Sequence, residues 1–81
     1  MLSIKVLGPG CPNCAAVERT VREAVSSLGV EARVEKITDM GEITKYPILA
    51  TPGIVVNDKV VCAGRVPTLA EVTTWLANAL P

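Results

Sequence analysis

The residues of this chain that can do chemistry are three cysteines, at positions 11, 14 and 62, in a sequence without histidine. Cys11 and Cys14 lie in the stretch Gly8-Pro9-Gly10-Cys11-Pro12-Asn13-Cys14. Two sulfurs at that spacing can close a disulfide, hold a soft metal ion, or serve as small apolar fillers. Disulfide exchange needs an ionised first sulfur and a second one close behind it, because the thiolate is the attacking species. Zinc takes four ligands. With Cys62 as the one further thiol, a zinc site would need carboxylates or a second chain. Cu(I) is satisfied by two thiolates. A small CxxC metal-binding module or chaperone carrying Cu(I), or another thiophilic ion, is therefore the alternative to redox chemistry.

The elements that position these residues must come from a short chain. Its 81 residues make one domain, 1–81. A chain of this size buries only about 60–65% of its unfolded surface. Apolar residues are 49% of the composition, and Tyr46 and Trp75 are the aromatic ones. The core must therefore be built from Val, Ile, Leu and Ala. Eight basic and eight acidic residues balance to zero net charge. With no basic patch and no interleaved aromatics, nucleic acid is not an expected partner. No apolar run approaches the roughly 18 residues of a membrane span. The N-terminal MLSIKVLGPG has no charged region followed by a long apolar one, so it does not read as a secretory signal. A secreted scaffold normally carries an even, framework-spaced set of cysteines. One close pair and a singleton fit a cytoplasmic protein, expected to act as a monomer.

Leu2 to Leu7 alternates apolar Leu2, Ile4 and Val6 and reads as a strand. From Pro12 to Leu28, apolar Cys14, Val17, Val21, Val25 and Leu28 recur every three or four residues, which is one helix face. Gly29 is a suitable stop. Val30 to Ile37 alternates and is rich in β-branched residues, a second strand. Thr38-Asp39 can cap a short helical turn through Lys45, with Glu42 spaced for a capping box. Tyr46 to Pro52 carries two prolines and reads as a loop. Gly53–Val56 and Lys59–Ala63 flank Asn57-Asp58 as a hairpin. Pro67-Thr68 opens a last helix with Leu69, Val72, Leu76 and Ala79 on one face and Trp75 at its edge. The order βαβαββα predicts a parallel first pair with a right-handed crossover, and an antiparallel hairpin. The result is an α/β fold with a four-stranded mixed sheet covered by helices.

In that frame the cysteine pair sits where the first strand hands over to the first helix. With Cys11 as N-cap, Pro12 falls at the first helical position, where its missing N–H costs nothing. Cys14 falls one turn in, on the same side. The free N–H groups of the first turn and the positive end of the helix favour a thiolate at Cys11. In CxxC pairs at helix N-termini the first cysteine commonly has a pKa of about 3.5–7.5. Cys11 is then the nucleophile. Cys14, part of the apolar stripe, is the resolving thiol. Gly8 and Gly10 keep the approach bare for a partner's backbone.

The strand, GCPNC, helix, TPGIVV hairpin and AGRVPTLAEVTTWLANAL ending resemble the thioredoxin/glutaredoxin superfamily, and most closely its small archaeal and bacterial thioredoxin-like redox-active disulfide proteins. The likeness covers essentially the whole chain. It implies a thiol–disulfide oxidoreductase without a bound cofactor. It also implies disulfide-containing protein substrates and a thioredoxin-reductase-like flavoenzyme that restores the dithiol. Catalysis would fall to Cys11 and Cys14, and substrate binding to Pro12, Thr51, Pro52 and Gly64. The Thr51–Pro52 bond would be cis and face the pair, and Thr51 would offer its backbone to an extended partner segment. Gly64, after the last strand, would keep a side chain out of the partner's way. Small copper chaperones share the CxxC loop after strand one but run βαββαβ. They usually carry Met two residues before the first Cys, where this chain has Pro9.

Three departures stand out. Gly10 replaces the tryptophan of thioredoxins, Asn13 the tyrosine of glutaredoxins, and Lys5 the buried acid that thioredoxins keep six residues before the first cysteine. Lys5 is either a solvated strand lysine or a thiolate-stabilising charge. Cys62 reads as a buried filler or a regulatory thiol. Arg65 reads as an exposed side chain or a contact for a partner's acid. Trp75 and Tyr46 read as packing residues.

Overall fold

The computed structural model describes residues 1–80; the expected domain limit, Pro81, lies outside the described residues. The order is β1 (Leu2–Leu7), α1 (Pro12–Leu28), β2 (Ala32–Ile37), α2 (Met40–Ile43), β3 (Gly53–Val56), β4 (Lys59–Ala63) and α3 (Leu69–Asn78). The strands form one sheet in the order β2-β1-β3-β4. β1 runs parallel to β2 and antiparallel to β3, and β3 runs antiparallel to β4. The expected βαβαββα order and mixed sheet are what the chain adopts. The last described element is a helix, and the order differs from the βαββαβ of small copper chaperones.

Strand alternation divides the core. Leu2, Ile4 and Val6 of β1 and Ile54 and Val56 of β3 are buried with Val17, Val21 and Ala24 of α1 and Val72 and Leu76 of α3. Leu7 and Val55 point to the opposite face, where Ile43 of α2 covers them with Ile37, Tyr46 and Ile48 around them. The main core therefore lies under α1 and α3. A second, smaller one lies under α2 and the loop that follows. At about 25 cal/mol per Å² of apolar surface, even single Val and Leu side chains contribute on the order of 1.5–3 kcal/mol.

Local chemistry explains the boundaries. β2 begins at Ala32 rather than Val30 because its ladder with β1 starts at the Leu2–Ala32 pair. In α1, Ala24 rather than Val25 is the fully buried position; Val25 and Leu28 are partly buried at its side. Both 24 and 25 follow Val21 within one turn, and the centre of the stripe falls on the smaller residue. Asn57 and Asp58 have φ of 49° and 68°, the pair of positive values a tight hairpin turn requires. Asn57 also bonds both backbone groups of Ser3: its Oδ1 accepts from Ser3 N at 3.0 Å, and its N–H donates to Ser3 O at 2.8 Å. A bulge shifts the β3–β4 register between Ile54 and Val55, so that Cys62 pairs with Ile54 and faces the main core.

The helix caps match the expectation in part. Asp39 caps α2, its side chain accepting from Gly41 N at 3.3 Å. Glu42 does not close a capping box there; it pairs with Lys45 at 3.2 Å. The complete box is at α3. Thr68 Oγ1 accepts from Glu71 N, and Glu71 Oε1 accepts from Thr68 N at 3.0 Å. Arg65 adds a two-pronged contact to the same carboxylate, at 3.0 and 2.6 Å. Arg65, left open between solvent and a partner's acid, is thus committed within the chain.

These donors, Arg65 first and the Thr68 backbone second, hold the Glu71 carboxyl down from the usual 4.5 to about 2. A depressed folded-state value means stability that is present above about pH 4.5 and lost as pH falls toward 2. The wild-type melting temperature should therefore fall across that window by more than that of Glu71→Gln, whose side chain does not titrate. Parallel melting curves as a function of pH check this.

Candidate active site

The site is assembled at the end of the sheet where β1 stops. The Gly8 N–H donates to Ile37 O at 2.9 Å, carrying the β1–β2 ladder one residue past Leu7. Gly8 is buried; Pro9 and Gly10 are exposed. Cys11 has extended backbone (φ −69°, ψ 162°) and is the N-cap of α1, with Pro12 at the start of the helix. Its sulfur accepts a hydrogen bond from Cys14 N at 3.1 Å, and its carbonyl accepts from Ala15 N at 3.1 Å. The cap position, the proline and the sulfur acceptor are all as the sequence predicts.

Cys11 and Cys14 are joined in a disulfide, with Cα atoms 5.0 Å apart. The two sulfurs are unequal. Cys14 is buried at 4% exposure in the apolar stripe of α1, whereas Cys11 is only partly covered. Cys11 is thus the more exposed residue of the two.

Register supplies the opposite wall. Leu7 pairs with Gly53, and the strands are antiparallel. The residues after Leu7 and those before Gly53 therefore leave the sheet at the same end. The Thr51–Pro52 bond, in that second segment, is cis, the geometry the family resemblance implies. Pro52 is buried and Thr51 partly exposed. Gly53 also pairs with Ala63, which brings Gly64 to this end, and Gly64 N donates to Pro52 O at 2.8 Å. The structure thus gathers Cys11, Pro12, Cys14, Thr51, Pro52 and Gly64 at one edge of the fold. No charged side chain occurs in segments 8–14 or 47–53, and Arg65, next to Gly64, is held by Glu71. Leu49 is fully exposed there and Met40 half exposed. Neither belongs to an apolar period of the sequence: Leu49 lies in a loop, and Met40 opens the four-residue α2.

Gly64 has φ of 83°, in the left-handed region, and a Cβ there would lie 3.3 Å from that of Ala50. Its glycine is required by backbone conformation and by Ala50, whatever approaches from outside.

The other candidates lie elsewhere. Lys5 projects from β1 toward α2's side of the sheet, donating to Tyr46 Oη at 3.3 Å and lying 3.9 Å from Asp58. The Tyr46 bond, chiefly, raises its pKa, so it stays a cation. No hydrogen bond joins it to either cysteine of the pair. Lys5 is thus neither freely solvated nor turned to the sulfurs, and Tyr46 is its acceptor as well as a packing residue. Cys62 is buried in the main core, its sulfur 4.0 Å from Arg65 O. Among the described residues, no group of three or more histidine, cysteine or carboxylate side chains converges. None of the helices described is long and apolar enough to cross a membrane.

Gly64→Ala should cost about 1–2 kcal/mol, the usual penalty for a side chain in left-handed backbone. For a domain of this size that lowers the melting temperature by about 4–16 °C, at about 4–8 °C per kcal/mol. Thermal unfolding of the oxidised protein measures it.

Comparison with known proteins agrees with this geometry. The family described as Thioredoxin domain matches residues 2–77. A thioredoxin of Methanothermobacter thermautotrophicus is 39% identical over 77 residues, covering 95% of this chain and 100% of its own. One from Methanocaldococcus jannaschii is 35% identical over 80 residues, covering 99% and 92% respectively. In fold, the chain is similar to the crystal structure of the germline-specific thioredoxin Deadhead of Drosophila melanogaster. The TM-score is 0.69 at 20% identity, over 98% of this chain and 81% of that one. With the paired cysteines at the head of α1 and the full-length match of sequence, this chain belongs to the thioredoxin domain family and is a thiol–disulfide oxidoreductase.

Proposed function

We propose that Cys11 is the attacking residue and Cys14 the resolving one. The observation that carries this assignment is the hydrogen bond from Cys14 N to Cys11 Sγ at the first turn of α1, with Cys14 buried behind it. In the dithiol, the same N–H and the positive end of a 17-residue helix stabilise negative charge on Cys11. The Cys11 thiolate attacks one sulfur of a partner's disulfide. A mixed disulfide forms, and the partner's other sulfur leaves as a thiolate. Cys14 then loses its proton and attacks Cys11. The Cys11–Cys14 bond closes, and the partner's second thiol is released. Two electrons have passed from the pair to the partner, which takes up two protons.

Thr51, Pro52 and Gly64 form the wall along which an extended partner segment lies. Thr51 offers its backbone, in the manner of strand addition. Pro12 leaves the mouth of the helix without an N–H and with little bulk. The uncharged segments 8–14 and 47–53 impose no charge requirement on the partner. A flavin-dependent, thioredoxin-reductase-like enzyme returns the disulfide to the dithiol. The protein works as a monomer in the cytoplasm, where such reducing power is maintained.

Cys11→Ser should abolish reduction of a protein disulfide, whereas Cys62→Ser should keep it near wild type, since that thiol sits in the core. Cys14→Ser should accumulate mixed disulfides through Cys11 in a cell extract, and these identify the partners. Full activity in Cys11→Ser would refute the assignment.

A further inference from the structure

We propose that Gly8 is a positioning residue for the cysteine pair: the space left by its missing side chain is where the Cys14 sulfur sits when the disulfide closes. The inference rests on the exchange reading above. Gly8 is buried, and its backbone is pinned by the bond from its N–H to Ile37 O at 2.9 Å. A Cβ built on it would collide with Cys14 Sγ and lie 3.0 Å from Cys14 Cβ. Its conformation does not call for glycine, because it is not among the positive-φ residues. Gly10, two residues on, is the opposite case: φ is 97°, and a Cβ there would meet nothing within 4 Å. Gly10 is a glycine for its backbone, and Gly8 is one for the sulfur. The sequence presented both as a bare approach for a partner; the structure separates them.

A side chain at position 8 would act unequally on the two redox states. In the disulfide, Cys14 Sγ is tied to Cys11 Sγ and cannot turn away. In the dithiol it is free to take another staggered rotamer. A methyl group at position 8 therefore opposes closure more than it opposes the reduced state. The reaction read out is dithiol plus oxidised glutathione giving the Cys11–Cys14 disulfide and two reduced glutathiones. Two electrons and two protons leave the pair.

The test is the thiol–disulfide equilibrium of wild type and Gly8→Ala in glutathione buffers, with melting curves of both redox forms. Gly8→Ala should disfavour the disulfide by at least about tenfold, about 30 mV less negative for a two-electron couple. It should also lower the melting temperature of the oxidised form more than that of the reduced form. A wild-type couple with an unchanged or more negative value in Gly8→Ala would overturn the role of Gly8 alone. A wild type without a reversible two-electron couple would overturn the exchange reading, and this inference with it. Should oxidised Gly8→Ala fail to fold, Gly8→Ala/Cys14→Ala decides. Recovery to near the melting temperature of Cys14→Ala places the collision at the sulfur, and failure to recover overturns the proposal.

Discussion

The short bond from Cys14 N to Cys11 Sγ is the interaction on which the rest of this structure bears. It exists because a helix begins at that point, and a helix leaves the N–H groups of its first turn without backbone acceptors. A sulfur at the cap position takes up one of those donors. The same arrangement places the second sulfur one turn in, on the face that α1 buries. Neither sulfur has its character from composition alone. Cys11 is partly exposed and bonded to an N–H because it caps the helix, and Cys14 is buried because it continues the stripe of Val17, Val21 and Ala24.

The sheet holds this turn in place. β1 is central, with β2 and β3 on either side, so its exit is fixed by ladders on both edges. Gly8 extends the ladder to β2, and Gly53, paired with Leu7, brings Thr51 and Pro52 across from the cysteines. Gly64 is tied to Pro52 through one backbone bond. Three segments distant in sequence, at 8–14, 51–53 and 64, thus converge at one edge. Neither segment 8–14 nor segment 47–53 brings a charge.

Much of this was legible in the residues. The 3.6-residue period of Cys14, Val17 and Val21, with Pro12 and Gly29 at its ends, defined α1 to the residue. The Asn57-Asp58 pair marked the hairpin because few other residues accept positive φ. The convergence of Thr51-Pro52 and Gly64 on the pair came from family resemblance, since contacts between distant segments leave no local pattern. Three features were hidden for physical reasons. The partner of Lys5 is a loop tyrosine 41 positions away. Glu42 and Glu71 both have capping-box spacing, and only Glu71 closes the box, with Arg65 gripping its far side. Gly8 looked like loop glycine, because a side chain's absence reveals nothing until the atom that fills the space is known.

The central claim is that the fold makes the two sulfurs of the pair unequal. The most direct measurement is alkylation of the reduced protein at neutral pH with limiting iodoacetamide, followed by peptide mass spectrometry that resolves each cysteine. The account predicts label on Cys11 first, with Cys14 and Cys62 modified only after it or on unfolding. Label appearing on Cys14 as fast as on Cys11 would contradict it.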